Sequence, residues 1–268
     1  MSEPRGAVLA QRYEIEELIG EGGMGKVYRA RHLRLNKPVA VKSLIIQGVD
    51  AQEAQARVNQ FETEAQILAG LSHPALVQVS DFFEQSGVHY LVMEYVEGKT
   101  LSSVAGLAPR PISERRVLQW ADELLDVLEY LHSQTPPIIL KDLKPDNVML
   151  MDTGRLKVID FGIAKRLTPT GGTMDIAKGV GTEEYAPLEQ YGHGSTDQRS
   201  DLYSLGATLY FLLTKQPPIP AWQRATKSEA LPDPRQYNDT VSESTAQALA
   251  KLTAIFAQDR PPNATAAL

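Results

Sequence analysis

The sequence contains no cysteine. Disulfides and thiol chemistry are therefore excluded, and a reducing compartment is compatible with the chain. No apolar run approaches the ~20 residues that cross a bilayer as a helix. Residues 1–11 lack the apolar core of a secretory leader. No repeat occurs at the periods of solenoids. Nor is there a basic excess: 27 Lys and Arg against 33 Asp and Glu leave a formal net charge of −6. That balance argues against a general binder of nucleic acid or of a membrane surface, while leaving room for a local basic groove. What is present suffices for a sizeable core: 43% of the 268 residues are hydrophobic, a length that suits one large domain or two coupled lobes. The chain stops shortly after Arg260, within what reads as a final helix, which suggests a piece of a longer protein.

The stretch from Ile138 to Gly162 organises the rest. Two apolar runs flank a tight polar segment, Lys141-Asp142-Leu143-Lys144-Pro145-Asp146-Asn147, and a third apolar run ends in Asp160. An acid, an ammonium, an amide oxygen and a second acid, brought together, can orient a hydroxyl and hold Mg²⁺ on a polyphosphate. Taken alone, the segment is also an ordinary hairpin with charged turns.

Upstream, Tyr13 to Arg31 reads as strand, turn, strand around Gly20-Glu21-Gly22-Gly23-Met24-Gly25. Glycine lets backbone approach a ligand closely and aim N–H groups at phosphate oxygens. The same spacing fits a dinucleotide fingerprint or a bare Gly-rich hairpin. A dinucleotide motif opens a helix, whereas Lys26-Val27-Tyr28 has strand character. Val39-Ala40-Val41-Lys42 makes a short buried strand carrying one charge, which needs a partner carboxylate. Ala51 to Leu71 reads as a helix with Val58, Phe61, Ala65 and Leu68 on one stripe. Glu64 borders that stripe, and Glu62 is offset towards solvent. Leu76 to Phe83 and His89 to Tyr95 read as a hairpin around Gln85-Ser86-Gly87. Further helices are expected from Ser113 (N-cap) to His132, over Asp201 to Leu213 with Asp201 as cap, and from Ser242 to Phe256. Gln216 to Pro234 reads as a long surface loop.

With these motifs in this order, the chain from about Tyr13 onward resembles the catalytic domain of eukaryotic-type (Hanks-type) bacterial Ser/Thr protein kinases. The resemblance implies an α+β, bilobal protein-kinase-like fold. A small, mainly antiparallel β N-lobe with one key helix would span 1–96, and a larger, mainly α-helical C-lobe 97–268. It implies ATP and Mg²⁺ (or Mn²⁺) as cofactors, protein substrates with Ser/Thr acceptors, and a homodimer for autophosphorylation in trans. Neither nucleic acid nor membrane contact is implied, and a cytoplasmic location follows unless a tether lies outside this sequence. By motif position, Asp142 is the base or hydroxyl-orienting group and Lys144 offsets phosphoryl charge. Lys42 holds the α- and β-phosphates and pairs with Glu64. Gly20, Gly22 and Gly25 cover the phosphates. Val27, Ala40 and Met149 enclose the adenine, Met93 limits its pocket, and Glu94 to Val96 form the hinge. Asn147 and Asp160 are the metal ligands, and Phe161 would pack towards Leu68. Thr182 would bond near Asp142 and Lys144, and Glu189 would pair with Arg260. The four groups Lys42, Asp142, Asn147 and Asp160 are expected to converge on one triphosphate.

Two motifs depart from the family pattern. His-Arg-Asp reads Leu140-Lys141-Asp142, and Ala-Pro-Glu reads Pro187-Leu188-Glu189. Lys141 offers a point charge where an arginine fork would grip a phosphorylated activation-loop residue. Residues 174–180 contain no Ser or Thr, and the nearest upstream hydroxyls are Thr173, Thr170 and Thr168. Activity is therefore expected to depend little on activation-loop phosphorylation. Two other readings stand beside the kinase: a pseudokinase or nucleotide-binding scaffold, suggested by Leu140 and Leu188, and a small-molecule phosphotransferase, against which the Thr182 segment and Glu189 argue.

Overall fold

The structure is a computed structural model that describes residues 3–22, 25–44, 50–160, 183–191 and 196–267. Its described residues form two compact units, one ending at Glu97 and one beginning at Gly98.

The first unit is a six-stranded antiparallel sheet of β1 (Val8–Leu9), β2 (Tyr13–Gly22), β3 (Gly25–His32), β4 (Lys37–Leu44), β5 (Val79–Gln85) and β6 (Val88–Glu94). Their spatial order is β1-β2-β3-β4-β6-β5. Alternation along β4 decides what each face does, because successive side chains point to opposite sides. Val39 and Val41 join Ile15, Tyr28, Ala30, Tyr90 and Val92 in one buried cluster. Ala40 and Lys42 therefore lie on the other face. There the register sets Val27 opposite Lys42 and Met93 opposite Ala40. The cluster face is closed by residues 3–12, which the sequence patterns left unassigned. Glu3 accepts from the Tyr90 hydroxyl at 2.6 Å and donates its backbone N–H to the Tyr28 hydroxyl at 3.0 Å. Helix α1 (Ala51–Ala69) is capped by Asp50, whose carboxylate accepts from the Glu53 N–H, and it buries Phe61, Glu64, Ala65 and Leu68. Phe61 meets Phe82 of β5 at 5.7 Å between ring centroids.

The second unit contains a small sheet, β7 (Gly98–Thr100), β8 (Val148–Met151) and β9 (Leu156–Val158), in the order β7-β8-β9. Its helices are α2 (Leu101–Leu107), α3 (Glu114–His132), α4 (Gln198–Thr214), α5 (Ala221–Lys227) and α6 (Glu243–Leu252). Helix α3 buries one stripe from Val117 to Leu131, whereas α4 is buried on nearly every side. That is what a helix apolar all round requires.

Four sequence expectations are corrected. The expected loop over Gln216 to Pro234 contains α5, too short to show a periodic stripe and introduced by Pro220 at its cap. The last helix ends at Leu252 rather than Phe256, which is 59% exposed. Ser113 sits at the cap of α3, but its hydroxyl makes no capping bond. Asp197, not Asp201, caps α4 by accepting from the Arg199 N–H at 2.8 Å; Asp201 lies inside the first turn and serves elsewhere.

Helices α4 and α6 approach so closely that a Cβ at Gly206 would lie 2.6 Å from Leu252 Cβ and 3.0 Å from Thr253 Cγ2. Gly206→Ala gains up to ~1 kcal/mol of helix propensity, but overpacking at such a crossing costs ~1–3 kcal/mol. A net loss of stability is expected in urea unfolding of the variant. An unchanged or raised midpoint would show that the crossing relaxes without strain.

Candidate active site

In the first unit the key group is Lys42. Its Nζ lies 3.5 Å from Glu64 Oε1, with side-chain exposures of 15% and 2%. Glu62, two residues earlier on the same helix, is only half-buried. A carboxylate this deep holds its charge only beside a cation, so the helix and the strand are tied by an electrostatic need as well as by packing. Gly25 has a structural reason for lacking a side chain, since a Cβ there would sit 2.3 Å from the Ser43 carbonyl oxygen. Gly20 and Gly22 lie on β2, and the turn residues between Gly22 and Gly25 fall outside the described residues. Met93 is buried and Val96 nearly so. The Glu94 N–H is used by the Gln78 carbonyl at 2.8 Å.

In the second unit the polar loop is built around Asp142, which is 6% exposed. Asn147 Nδ2 donates to the Asp142 carbonyl at 2.8 Å and to Asp142 Oδ2 at 3.0 Å. Lys144 Nζ donates to the same Oδ2 at 3.1 Å. These contacts fix one carboxylate oxygen. The loop backbone is held from below by Asp201, fully buried on α4. Its Oδ2 accepts from the Leu140 N–H at 2.9 Å and its Oδ1 from the Lys141 N–H at 2.8 Å. His132 Nε2, at the end of α3, lies 2.8 Å from Asp201 Oδ2. Lys141 adopts φ +63°, a left-handed conformation costing roughly 1–2 kcal/mol for a residue with a Cβ. Leu140 is wholly buried, so the apolar replacement fills the core beneath the loop. Ile159 donates its N–H to the Asn147 carbonyl at 2.9 Å, which holds the residue before Asp160 against the loop. Asp160 itself is half-buried, and Met149 is half-buried on β8.

Asn147 has spent both amide hydrogens on Asp142, which leaves its carbonyl oxygen as a neutral donor for a metal. With a charged oxygen from Asp160, such a donor set could suit Mg²⁺, which takes few protein oxygens and completes its octahedron with water and phosphate.

Further along, Glu189 and Arg260 form a two-point pair at 2.7 and 3.1 Å. The Arg260 side chain is 0% exposed and Glu189 13%. Ser200 donates to Glu189 Oε1 at 2.7 Å, and Arg260 also donates to the carbonyls of Ala254, Arg199 and Ile255. Burial pushes the Glu189 carboxyl up, but hydrogen bonds from Arg260 and Ser200 and the Arg260 charge outweigh it, and its pKa lies below the ordinary value. Thr182, Thr173, Thr170, Thr168 and Phe161 lie outside the described residues. His132, Ser200 and Gln190, whose Nε2 donates to the Lys141 carbonyl at 3.1 Å, escaped sequence reasoning. Each acts on a residue 11 to 69 positions away, so no local pattern marks it.

A family model described as "Protein kinase domain" matches residues 13–266. The chain is 42% identical over 224 residues to "Probable serine/threonine-protein kinase SCO3848" of Streptomyces coelicolor, covering 82% of this chain and 32% of that protein. It is 36% identical over 255 residues to the serine/threonine-protein kinase PknB of Mycolicibacterium smegmatis, covering 91% and 40%. The chain thus spans 32–40% of the length of these relatives. Among solved structures, the apo form of PpkA-294 superposes with a TM-score of 0.86 at 27% identity, covering 99% of this chain and 98% of that one.

Arg260→Ala leaves a largely buried carboxylate without its cation, and a stability loss of ~3–5 kcal/mol is expected in chemical unfolding. The pH dependence has a definite sign. The folded pKa of Glu189 lies below the ordinary 4.5, so the unfolded chain takes up the proton first as pH falls. Its stabilisation is complete above that value and disappears as pH drops through the folded pKa. Glu189→Gln removes this component, so its unfolding curve should be flatter with pH at the acid end than that of the parent.

Proposed function

The chain belongs to the protein kinase family, and from that premise we propose that it is an ATP-dependent serine/threonine kinase of the bacterial type, acting on protein substrates and on a second copy of itself. The observation that carries the reading is the loop in which Asn147 and Lys144 share one oxygen of Asp142. Two donors hold the carboxylate in place, and it would orient a substrate hydroxyl and accept its proton. Lys144, charged and adjacent, offsets charge gathering on the transferred phosphoryl group.

Asn147 and Asp160 would hold the divalent ion, an all-oxygen donor pair that suits Mg²⁺ and Mn²⁺ alike. That ion, when bound, neutralises phosphate charge and aligns the transferred group. Lys42, kept in place by Glu64, would hold the α- and β-phosphates. Val27, Ala40 and Met93 share one face of the first unit's sheet and would offer an apolar seat for a purine. The backbone of Glu94 to Val96 would pair with its edge. Of these, the Val96 N–H has no partner among the described residues.

The scaffold reading draws on Leu140, yet its burial replaces one packing group by another and leaves Asp142 in place. No helix among the described residues is long and apolar enough to cross a membrane.

Asp142→Asn should lower phosphoryl transfer to a peptide by ~10²–10⁴-fold while leaving the thermal shift induced by ATP and Mg²⁺ intact. If the parent binds nucleotide but transfers nothing in a radiolabel assay, the scaffold reading wins. If only metabolites are phosphorylated, the small-molecule reading wins. Separately, replacing Thr168, Thr170 and Thr173 together by Ala should retain most turnover, because Lys141 lacks the fork that reads a phosphate. Loss of most activity would make loop phosphorylation a requirement.

A further inference from the structure

The turn that delivers Asp142 is pinned at each of its backbone polar groups. The Asp142 N–H donates to the Leu140 carbonyl at 2.9 Å, across Lys141 at φ +63°. A three-residue turn with positive φ at its centre is the rare, strained kind, and such strain needs neighbours that hold it. Asp201 takes the N–H groups of Leu140 and Lys141, and Asn147 Nδ2 donates to the Asp142 carbonyl. The remaining group is the Lys141 carbonyl, which accepts from Gln190 Nε2 at 3.1 Å. Facing a carbonyl oxygen, the Gln190 amide presents its NH₂ and not its own oxygen.

This last bond comes from a different part of the unit. Asp201 belongs to buried α4, and Asn147 to the loop itself. Gln190 is half-buried and ends the turn Leu188–Gln190, in the segment 183–191 that the kinase reading places against the protein substrate. That segment has anchors of its own. Glu189 pairs with Arg260, Ser204 Oγ donates to the Tyr185 carbonyl at 2.9 Å, and the Tyr191 hydroxyl donates to the Glu183 carbonyl at 2.7 Å. The Lys141 carbonyl and the Asp142 N–H are the two ends of one rigid peptide plane. Leu140 holds one end and Gln190 the other, so together they fix the tilt of that plane. The tilt sets the direction in which the Asp142 side chain leaves the backbone.

We propose that Gln190 is a positioning residue for phosphoryl transfer: from the substrate-facing segment it holds the peptide plane before Asp142, so the base is aligned while that segment is in place. The bond joins an amide to a carbonyl. It is neutral and forms without a phosphate, which agrees with Lys141 standing where the family's arginine fork would grip one. Gln190 touches neither nucleotide nor acceptor, so its loss bears on transfer and not on ATP binding. The proposal rests on the kinase reading, and one readout below needs no transfer, so the two fail separately.

Two substitutions test it. Gln190→Met keeps the side chain's length and removes the donor. Gln190→Glu keeps length and polarity but turns an oxygen towards the Lys141 carbonyl. Both should slow single-turnover phosphoryl transfer to a peptide by ~3–10-fold, the share of rate that one neutral hydrogen bond supplies. The Kd for ATP with Mg²⁺ should stay that of the parent. Amide hydrogen exchange at Lys141 and Asp142, measured without substrate, should quicken in both variants. A residue acting only through its size or polarity would be spared by Gln190→Glu. Should that variant fail to fold, Gln190→Met carries the test. Transfer at the parent's rate in Gln190→Met, recovery in Gln190→Glu, a weakened Kd for ATP in place of slower transfer, or unchanged exchange overturns the proposal. If the parent itself transfers no phosphate, the kinase reading falls, and the exchange at Lys141 and Asp142 decides whether Gln190 holds the turn.

Discussion

A single buried carboxylate sets the geometry of the catalytic loop. Asp201 has no exposed surface and takes three donors: the backbone N–H groups of Leu140 and Lys141, and the ring of His132. In a low-dielectric interior such charge-assisted bonds are short and strong, and each donor lost would leave an expensive orphan. The loop would not choose this conformation by itself. Lys141 stands in the left-handed region, where a Cβ is disfavoured. Strain of that kind persists where the surroundings over-determine it. Here two consecutive N–H groups are aimed at the two oxygens of one acid, and only this backbone turn aims them so.

The same helix serves a second anchor. Ser200 and the Arg199 carbonyl, one and two residues before Asp201, both take part in the Glu189–Arg260 pair, and Tyr203 lies under the Arg260 guanidinium at 4.9 Å. A buried ion pair is weak evidence of stability, because desolvation offsets its attraction. What it secures is position. The segment ending in Glu189 and the loop ending in Asp142 are both referred to one rigid element, and Gln190 adds a direct bond to the Lys141 carbonyl. Close packing makes that element stiff: Gly206 lets α6 press against α4 at a distance no side chain would allow.

The legibility of the sequence divides along the range of the interaction. Strand alternation, the Gly-rich turn and the stripe of α1 are local, and β2, β3, β4 and α1 occur where their patterns put them. Asp142, Lys144 and Asn147 are within five residues of one another, so their meeting in one loop could be anticipated. Asp201 was misjudged as a helix cap, because an acid near a helix start looks the same whether it caps its own helix or another segment. His132 gave no sign at all; its partner is 69 residues away. Helix α5 was missed because seven residues carry too little period to show a stripe, and Pro220 stands at its cap.

The first unit follows from a constraint on faces. A strand buried on one side by Val39 and Val41 must offer Ala40 and Lys42 on the other, since the side-chain period is two. A charge can stand on that second face only if the first face alone supplies the cohesion. The segment 3–12 bears on this. It gives the Tyr90 hydroxyl its partner in Glu3, while Asp81 of β5 accepts from the Tyr13 hydroxyl; burial, with these bonds, raises the pKa of both hydroxyls. With that side closed, Lys42 need not be covered by apolar packing. It is held by the buried carboxylate of Glu64, whose charge is sustained there by the neighbouring cation. A cation kept at a half-buried position by a partner on a separate helix answers to the position of that helix. Any displacement of α1 from β4 therefore changes the electrostatics of Lys42 before it disturbs the sheet.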